Sequence, residues 1–324
     1  MTQSSRRAVL KSLMIAPVAA APLVSGLNTA ATGREGLAGR AAVPLAQIRI
    51  GRFEVTALND GYADMPFGYF TGRAASEIER AAGEIHAARE GGVRLSFNQF
   101  LVRDGNQTIL IDTGPAGRIG ETGGLPAALA VLGVKAEDID AVVLTHLHVD
   151  HISGATTDGR KAFPNAEIFA DRRDVKYWTD SAKRASAPDF LHSSFDAAGE
   201  LVRLYPKLNA IDGEREIANG LSIVDLTGHT PGHIGVRIAD EGQSLIMVSD
   251  MLFHPAVHPF SADIGFVFEQ DPEAARLMRQ RFFPLAAGEG ALIAATHMPF
   301  PGLGRIARDD DRLRWVTAEW AHGT

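Results

Sequence analysis

The chain has 324 residues, of which 45% are hydrophobic and 22% charged, a balance typical of a soluble globular protein. Its net charge is −7 and no Lys/Arg stripe stands out, so we expect no nucleic acid partner. Because the chain has no cysteine, any metal must be held by histidine and carboxylate side chains.

The first 40 residues predict an export signal. A paired Arg6-Arg7 precedes an apolar segment from Leu13 to Val24, and "SRRAVLK" resembles the twin-arginine motif, with Val9 where that motif usually has Phe. The apolar segment is interrupted by prolines and is too short to span a bilayer. We expect residues 1–40 to be a twin-arginine signal peptide plus a mature N-terminal tail of uncertain cleavage site. This predicts a periplasmic or secreted protein without a stable membrane anchor.

From about Ile48, the sequence pattern changes to short strands and turns. "IRIGRFEVTALNDG" predicts a strand pair punctuated by Gly51 and by residues 59–61. "SFNQFLVRDGNQTILID" predicts a hairpin whose turn is Asp104-Gly105. The first part of the mature chain is therefore expected to be sheet.

Strands and helices alternate after this sheet. Pro126 fits the first turn of a helix in "GGLPAALAVLG", the run "AVVL" predicts a strand buried on both faces, and Asp171 can cap a helix in "DRRDVKYWTDSAKRA". Residues 186–208 predict an irregular segment, and strands recur around "GLSIVDL", "GVRIAD", "QSLIMV" and "ALIAA". The alternation predicts an α/β sandwich in a single domain spanning residues 41–324.

The densest chemical signal is "HLHVDH", which places His146, His148, Asp150 and His151 within six residues directly after "AVVL". On a strand, His146, His148 and Asp150 would share one face, whereas on a turn all four side chains can converge. A solvated polar turn explains one histidine but not three beside a buried strand. We therefore predict metal ligands here.

Three further strand ends supply the same chemistry, through His229 in "LTGHTPGH", Asp250 in "VSDML" and His297 in "AATH". The resulting set exceeds the needs of one tetrahedral zinc and suits two metals about 3.5–4 Å apart. Such a pair shares one carboxylate and one water-derived hydroxide. Asp250 is the natural bridge.

These motifs resemble the metallo-β-lactamase superfamily, whose members have an αββα sandwich with a dinuclear site along one edge. The resemblance implies that His146, His148 and His229 hold the first metal, that Asp150, His151 and His297 hold the second, and that Asp250 bridges them. It also implies a homodimer. Zinc suits this ligand set best, although Mn, Co, Fe or Ni can occupy it.

Within the superfamily, "GRFEVTALNDG", "ILIDTGPAG", "FPNAEIFADRRDVKYW" and "THMPFPGLGRI" look most like the branch that contains methyl parathion hydrolase, lactonases and aryl esterases. At the site's mouth, this sequence has Ile119 and Trp178 where the organophosphate enzyme carries aromatics. One aromatic is thus kept and one is lost, which weakens the organophosphate hypothesis.

Apolar side chains near the motifs indicate a small apolar or aromatic substrate. The main pocket candidates are Phe67, Ile119, Trp178, Phe266 and Phe268, and further candidates are Tyr69, Phe70, Phe190 and Phe195. Each of these aromatic residues could equally belong to the core. We expect His233 to be a structural or hydrogen-bonding neighbour of the ligands, and His254 and His258 to lie in the core or on the surface.

The reaction expected from this site is hydrolysis by a hydroxide bridging two metals, which opens lactones or cleaves aryl and carboxylic esters. Asp250 would hold both metals, and we hypothesise that Asp150 relays a proton to the leaving group. The alternatives are an organophosphate triesterase of the methyl parathion hydrolase type and a non-enzymatic periplasmic metal-binding protein.

Three other classes in the superfamily fit less well. One subclass of true β-lactamases needs a cysteine, and the remaining dinuclear subclass lacks the aspartate bridge. A glutathione-thioester hydrolase would need a basic C-terminal stretch, which the sequence lacks. A nuclease would need a basic groove, whereas loss of residues 1–40 removes five basic residues and one acidic residue and leaves a net charge of −11.

Overall fold

The computed structural model describes residues 43–310 and 312–319. The predicted export signal lies outside these residues and stays a prediction, as does the homodimer. Among the described helices, none combines the length and apolar character needed to cross a lipid bilayer.

The strands alternate with helices along the chain. The described strands are β1 (Leu45–Ile50), β2 (Phe53–Pro66), β3 (Phe70–Thr71), β4 (Ala88–Arg89), β5 (Gly92–Arg103), β6 (Thr108–Ile111), β7 (Glu121–Thr122), β8 (Ala141–Val143), β9 (Thr156–Thr157), β10 (Arg160–Lys161), β11 (Glu167–Asp171), β12 (Asn209–Ile211), β13 (Arg215–Ala218), β14 (Leu221–Asp225), β15 (Ile234–Asp240), β16 (Gln243–Met247), β17 (Gly265–Phe266), β18 (Leu292–Ala294), β19 (Leu303–Asp309) and β20 (Arg312–Thr317). The described α-helices are α1 (Ala75–Glu84), α2 (Leu125–Val131), α3 (Val149–Ile152), α4 (Arg172–Trp178), α5 (Ser181–Ser186), α6 (His192–Leu204) and α7 (Pro272–Glu289).

Two large sheets organise these elements. The first has the order β1-β2-β5-β6-β8-β11-β12, with β4 added beside β5 and β7 beside β2. The second has the order β13-β14-β15-β16-β18-β19-β20. Neighbours are parallel in β6-β8-β11-β12 and in β16-β18, so the carboxyl ends of these strands point in a common direction within each sheet.

Side-chain alternation along the strands builds three layers of core. In β5, Phe100 and Val102 pack between the two sheets, whereas Leu101 faces the helices that cover the first sheet. Phe283 of α7 packs against the outer face of the second sheet. The observed order of helix, sheet, sheet and helix confirms the predicted αββα sandwich.

The structure differs from the sequence expectations at three places. Residues 186–208, expected to be irregular, contain α6. The single helix expected after Asp171 is broken: α4 ends at Trp178, and Asp180 caps α5 by accepting hydrogen bonds from the N–H groups of Ala182 and Lys183. β2 continues through residues 59–61 with a bulge rather than ending there.

The bulge in β2 has a structural role. It turns the buried Asp60 carboxylate toward a loop, where it accepts hydrogen bonds from the N–H groups of Ala116, Gly123 and Leu125. The loop that carries Ile119 is therefore fixed to the first sheet.

Candidate metal centre

The predicted ligands meet where strands of both sheets end. The segment after β8 carries His146 and His148, and the loop after β14 carries His229. Asp250 lies in a 3-10 turn after β16, and His297 follows β18. Because buried strands cannot shift without disrupting the core, the ends of four strands hold these side chains at one edge of the sandwich.

A first group of donors forms around His148. Its Nδ1 lies 3.0 Å from Nε2 of His146 and 2.9 Å from Nε2 of His229. A carboxylate oxygen of Asp250 lies 3.2 Å from His229 Nε2 and 3.9 Å from His146 Nε2. All four side chains are buried.

A second group contains Asp150, His151 and His297. The short helix α3 presents Asp150 and His151 together, and Asp150 Oδ2 lies 3.5 Å from Nε2 of His151 and 3.5 Å from Nε2 of His297. The structure thus brings together all seven residues singled out by the sequence, in two sets.

Asp250 lies between the two groups. Its Oδ1 is 3.2 Å from His151 Nε2, and its Oδ2 is 3.2 Å from both His229 Nε2 and His297 Nε2. One carboxylate therefore faces donors of both sets, which is the geometry that a bridging ligand requires.

The first group has neutral histidines. Burial disfavours the charged imidazolium, which lowers the pKa of His148 to about 4 and holds the pKa values of His146 and His229 well below the ordinary value. These rings present unprotonated nitrogens at neutral pH, as metal ligands must.

The second group has the opposite electrostatics in the metal-free protein. Burial disfavours the charged ring of His151, yet the carboxylates of Asp250 and Asp150 outweigh burial and hold its pKa well above the ordinary value. The same balance, led by Asp250 among the carboxylates, raises the pKa of His297. The protons on these two rings must leave before their Nε2 atoms can act as ligands.

The donor set fits divalent cations. Imidazole nitrogens and carboxylate oxygens converge in both groups. Nε2 of His151 is buried without a hydrogen-bond partner in the described chain, and it points toward both carboxylates. A buried cluster of this composition suits two divalent metal ions.

A network that the sequence did not reveal orients the second group. Asp112 follows β6, and its carboxylate accepts hydrogen bonds from the N–H and hydroxyl of Thr145. Asp112 Oδ2 also lies 2.8 Å from Nδ1 of His151. This fixes the ring so that Nε2 points into the centre, the usual role of a carboxylate behind a metal-binding histidine.

Asp174 joins the two ligand-bearing loops. Its buried carboxylate accepts hydrogen bonds from the N–H groups of Leu147 and Gly232 and from the Thr230 hydroxyl. Leu147 lies between His146 and His148, and Thr230 follows His229. Burial raises the pKa of Asp174 to about 6.

The remaining histidines lie outside both donor groups. His233 is fully buried, its Nδ1 lies 3.1 Å from the Leu226 carbonyl oxygen, and its ring contacts the edge of His146. His254 and His258 are core residues, and Nε2 of His258 lies 2.8 Å from the Ile264 carbonyl oxygen. Burial lowers the pKa of His258 to about 3 and that of His254 to about 4.

A narrow cleft of about 50 Å³ opens above the centre. Its walls include Ile119, Phe190, Phe266 and Phe268, while Asp150 and Asp250 lie at its base with three of the histidines. Phe190 and Phe268 meet edge to face, with ring centroids 5.2 Å apart. No lysine or arginine lines this cleft among the described residues.

Other pocket candidates lie behind the cleft. Trp178 is completely buried and packs edge-on against His148, with centroids 4.9 Å apart, so it supports a ligand instead of contacting substrate. Phe67 packs in a core cluster with Phe70, and Phe195 packs against Trp178. Tyr69 is partly exposed and stacks edge-on to Phe268.

The family profile of the metallo-β-lactamase superfamily matches residues 94–297, which include all seven candidate ligands. The chain belongs to the metallo-β-lactamase superfamily.

Relatives within this superfamily are hydrolases. A hydroxyacylglutathione hydrolase of Aeromonas salmonicida is 28% identical over 61% of this chain and 59% of its own length. The N-acyl homoserine lactonase AiiB of Agrobacterium fabrum is 30% identical over 40% of this chain and 46% of its own. The chain thus spans roughly half the length of the curated relatives it matches.

A solved structure extends the similarity beyond these segments. AidC, a dizinc quorum-quenching lactonase solved with the product N-hexanoyl-L-homoserine, is 25% identical, with a TM-score of 0.79. The match covers 86% of this chain and 99% of that one. The chain therefore has the metallo-β-lactamase fold and is related to lactonases and to hydroxyacylglutathione hydrolases.

Proposed function

We propose that this protein is a dinuclear metallohydrolase that opens lactones and cleaves aryl or carboxylic esters. The observation that carries the proposal is the position of Asp250, which faces both donor groups at the base of a cleft walled by apolar side chains. His146, His148 and His229 would hold one metal, and Asp150, His151 and His297 the other. Zinc is the proposed metal, since the dinuclear lactonase AidC contains it.

Two divalent metals supply water that ionises near neutral pH and a Lewis acid for the substrate's carbonyl oxygen. The chain's own residues determine where this chemistry occurs. Asp112 fixes the ring of His151, and the Ser96 carbonyl oxygen, 3.0 Å from Nδ1 of His297, fixes the ring of His297. No nucleophilic side chain is needed, because water attacks the carbonyl carbon while the ester C–O bond breaks.

Asp150 is placed to move a proton. Its side chain is 18% exposed, compared with 4% for Asp250, and it lines the cleft. We assign it the transfer of a proton to the alkoxide or phenolate that leaves. One proton of the attacking water goes to the leaving oxygen and the other is released to solvent, so the products are a carboxylate, an alcohol or phenol, and one proton.

The cleft favours apolar substrates. Its walls carry Phe266, Phe268 and Ile119, and the partly exposed Phe190 closes one side. The cleft holds only about 50 Å³, so the acyl chain or aromatic group of a substrate must extend past Phe190 toward solvent. A lactone with an acyl chain fits this arrangement.

Two other activities of related enzymes rank lower. Hydroxyacylglutathione hydrolysis requires recognition of the two glutathione carboxylates, and no cation lines the cleft among the described residues. Organophosphate triesterase activity is our second candidate, because triesters are uncharged and suit the same apolar walls.

A substrate panel tests this proposal. The zinc-loaded protein is assayed with an acyl homoserine lactone, dihydrocoumarin, p-nitrophenyl acetate, methyl parathion, S-lactoylglutathione and nitrocefin, and kcat/KM is compared. We expect a lactone or aryl ester to exceed the thioester and the organophosphate at least tenfold. Two bound metals with no hydrolysis of any substrate would instead favour a metal-binding protein.

A further inference from the structure

A second cavity, of about 800 Å³, lies between α2, the loop after it and the β9-β10 hairpin. None of its lining residues lines the catalytic cleft. Its volume is within the roughly 300–1,000 Å³ of small-molecule sites. The cavity is therefore large enough for a ligand of its own.

The walls of this cavity are apolar. Leu125, Leu129 and Phe163 contribute buried side chains that belong to the core beneath, and Ala130 and Ala162 leave space above them. Such a surface favours a hydrocarbon chain, because each CH₂ group that it covers is removed from water.

Three cations surround the apolar walls. Lys135, Arg160 and Lys161 line the cavity and are exposed, and none forms an ion pair with a carboxylate among residues 43–310 and 312–319. The Lys161 ammonium instead lies 5.0 Å above the ring of Tyr205. In a chain of net charge −7, unpaired cations at an apolar cavity are complementary to an anionic head group.

One carboxylate also lines the cavity, that of Asp60. Its oxygens already accept hydrogen bonds from the backbone N–H groups of Ala116, Gly123 and Leu125. Because the Asp60 carboxylate is hydrogen-bonded to this loop, it does not pair with the three cations.

The floor of the cavity contacts the metal centre from behind. Thr113 lines the cavity, and its N–H and hydroxyl donate to the backbone carbonyl of His151 at 2.7 and 2.9 Å. Gly154 also lines it, and a Cβ there would lie 2.0 Å from the Thr113 carbonyl oxygen, so the floor is tightly packed. A ligand in this cavity would press on the segment that carries His151.

We propose that this cavity binds a free long-chain carboxylate, with its hydrocarbon chain between α2 and Phe163 and its carboxylate on Arg160, Lys161 and Lys135. Binding of the carboxylate does not depend on the proposed catalytic activity, whereas its effect on metal release rests on the proposed metal centre. Through Thr113, its occupancy changes the freedom of the His151 backbone and thereby the rate at which the centre releases metal.

Calorimetric titration of the metal-loaded full chain with dodecanoate, below its micelle concentration, tests the proposal. We expect one dodecanoate per chain, and at least tenfold weaker binding of the uncharged dodecanol. Ala130→Trp, which fills the cavity from an exposed position, should weaken dodecanoate binding at least tenfold. Arg160→Glu should do the same by reversing one charge.

Two matched variants control for nonspecific effects. Ala75→Trp places a tryptophan at an exposed position of α1, and Arg308→Glu reverses an exposed cation of β19 in the second sheet. Both should bind dodecanoate like the unchanged protein. Bound dodecanoate should also change the rate of metal release to a chelator in the unchanged protein and not in Ala130→Trp.

Several results would overturn the proposal. Dodecanoate binding that survives Ala130→Trp would place the ligand elsewhere, for example at the metals. Absence of dodecanoate binding to the full chain would refute the site, and a change in sedimentation of Ala130→Trp would assign the cavity to a second copy of the chain. Binding to anionic phosphatidylglycerol vesicles without binding of free dodecanoate would assign it to a lipid surface.

Discussion

Oδ2 of Asp112 lies 2.8 Å from Nδ1 of His151, on the side of the ring that faces away from the metal centre. Asp112→Asn removes the charge and places an amide against groups that donate hydrogen bonds. We expect the affinity for the second metal to fall by roughly 10–100-fold, the usual cost of losing such a carboxylate. Competition with a chromogenic chelator measures this, with the exposed Asp158→Asn as control. Equal affinity in Asp112→Asn and the control would refute the role.

The raised pKa of the buried Asp174 leads us to expect a specific pH dependence of the free energy of unfolding. Burial raises its folded pKa to about 6, above the ordinary value of 3.8, so the folded protein holds this proton more tightly than the unfolded chain. The resulting stabilisation is complete below pH 3.8, falls as pH rises toward 6, and is absent above it.

Denaturant unfolding of the protein and of Asp174→Asn between pH 4.5 and 8 tests this dependence. Groups other than Asp174 cancel in the difference between the two unfolding free energies. The unfolding free energy of the unchanged protein minus that of Asp174→Asn should decrease by about 1–2 kcal/mol between pH 4.5 and pH 6.5, and then stay constant. A difference that is flat over the whole range would show that Asp174 titrates normally.

The position of Phe268 in the cleft leads us to expect that its loss affects KM according to the length of the substrate's acyl chain. Its ring lines the cleft against Phe190, so Phe268→Ala removes an apolar contact with a long chain but not with the reacting ester. We expect KM for a long-chain lactone to rise about tenfold, while kcat/KM for a small lactone changes little. Phe260→Ala, at an exposed aromatic outside the cleft, should change neither value. Equal losses for both substrates would indicate damage to the metal centre instead.

Removal of the metals should lower stability. Without cations, the buried Asp250 and the partly exposed Asp150 have no metal to neutralise their charge. The ring nitrogens of the first group also face one another at 2.9 to 3.0 Å with no metal between them. Dialysis against a chelator should lower the thermal unfolding midpoint by several degrees, and zinc should restore it. An unfolding midpoint that is insensitive to both treatments would contradict binding of metal at this buried cluster.

The sequence predicted the seven candidate ligands because they lie at or just after the ends of strands that its pattern shows. His146, His229, Asp250 and His297 follow short apolar runs, and the carboxyl ends of buried strands converge at one edge of the sandwich. Asp112 also follows such a run, in "ILID", but a single carboxylate without neighbouring donors carries no signal of its own. Its role depends on contact with a residue 39 positions away.

Other features depend on tertiary contacts that no local pattern specifies. α6 begins without a side-chain cap and carries serines and a glycine, so no start signal marks it, although its buried Phe195, Ala198 and Leu201 recur at helical spacing. The sequence alone does not distinguish a pocket position from a core position for Trp178. Its burial behind His148 follows from packing against Phe195 of the helix that the sequence did not predict.

In the proposed function, Asp250 joins two metals into one hydrolytic centre. Metal content and lactone hydrolysis, measured on the same preparations of the protein, of Asp250→Asn and of the exposed Asp263→Asn control, test it directly. We predict two metals per chain for the protein and the control. Asp250→Asn should keep at most one and lose roughly 10³-fold in kcat/KM. An Asp250→Asn protein with both metals and activity within tenfold of the unchanged protein would contradict the account.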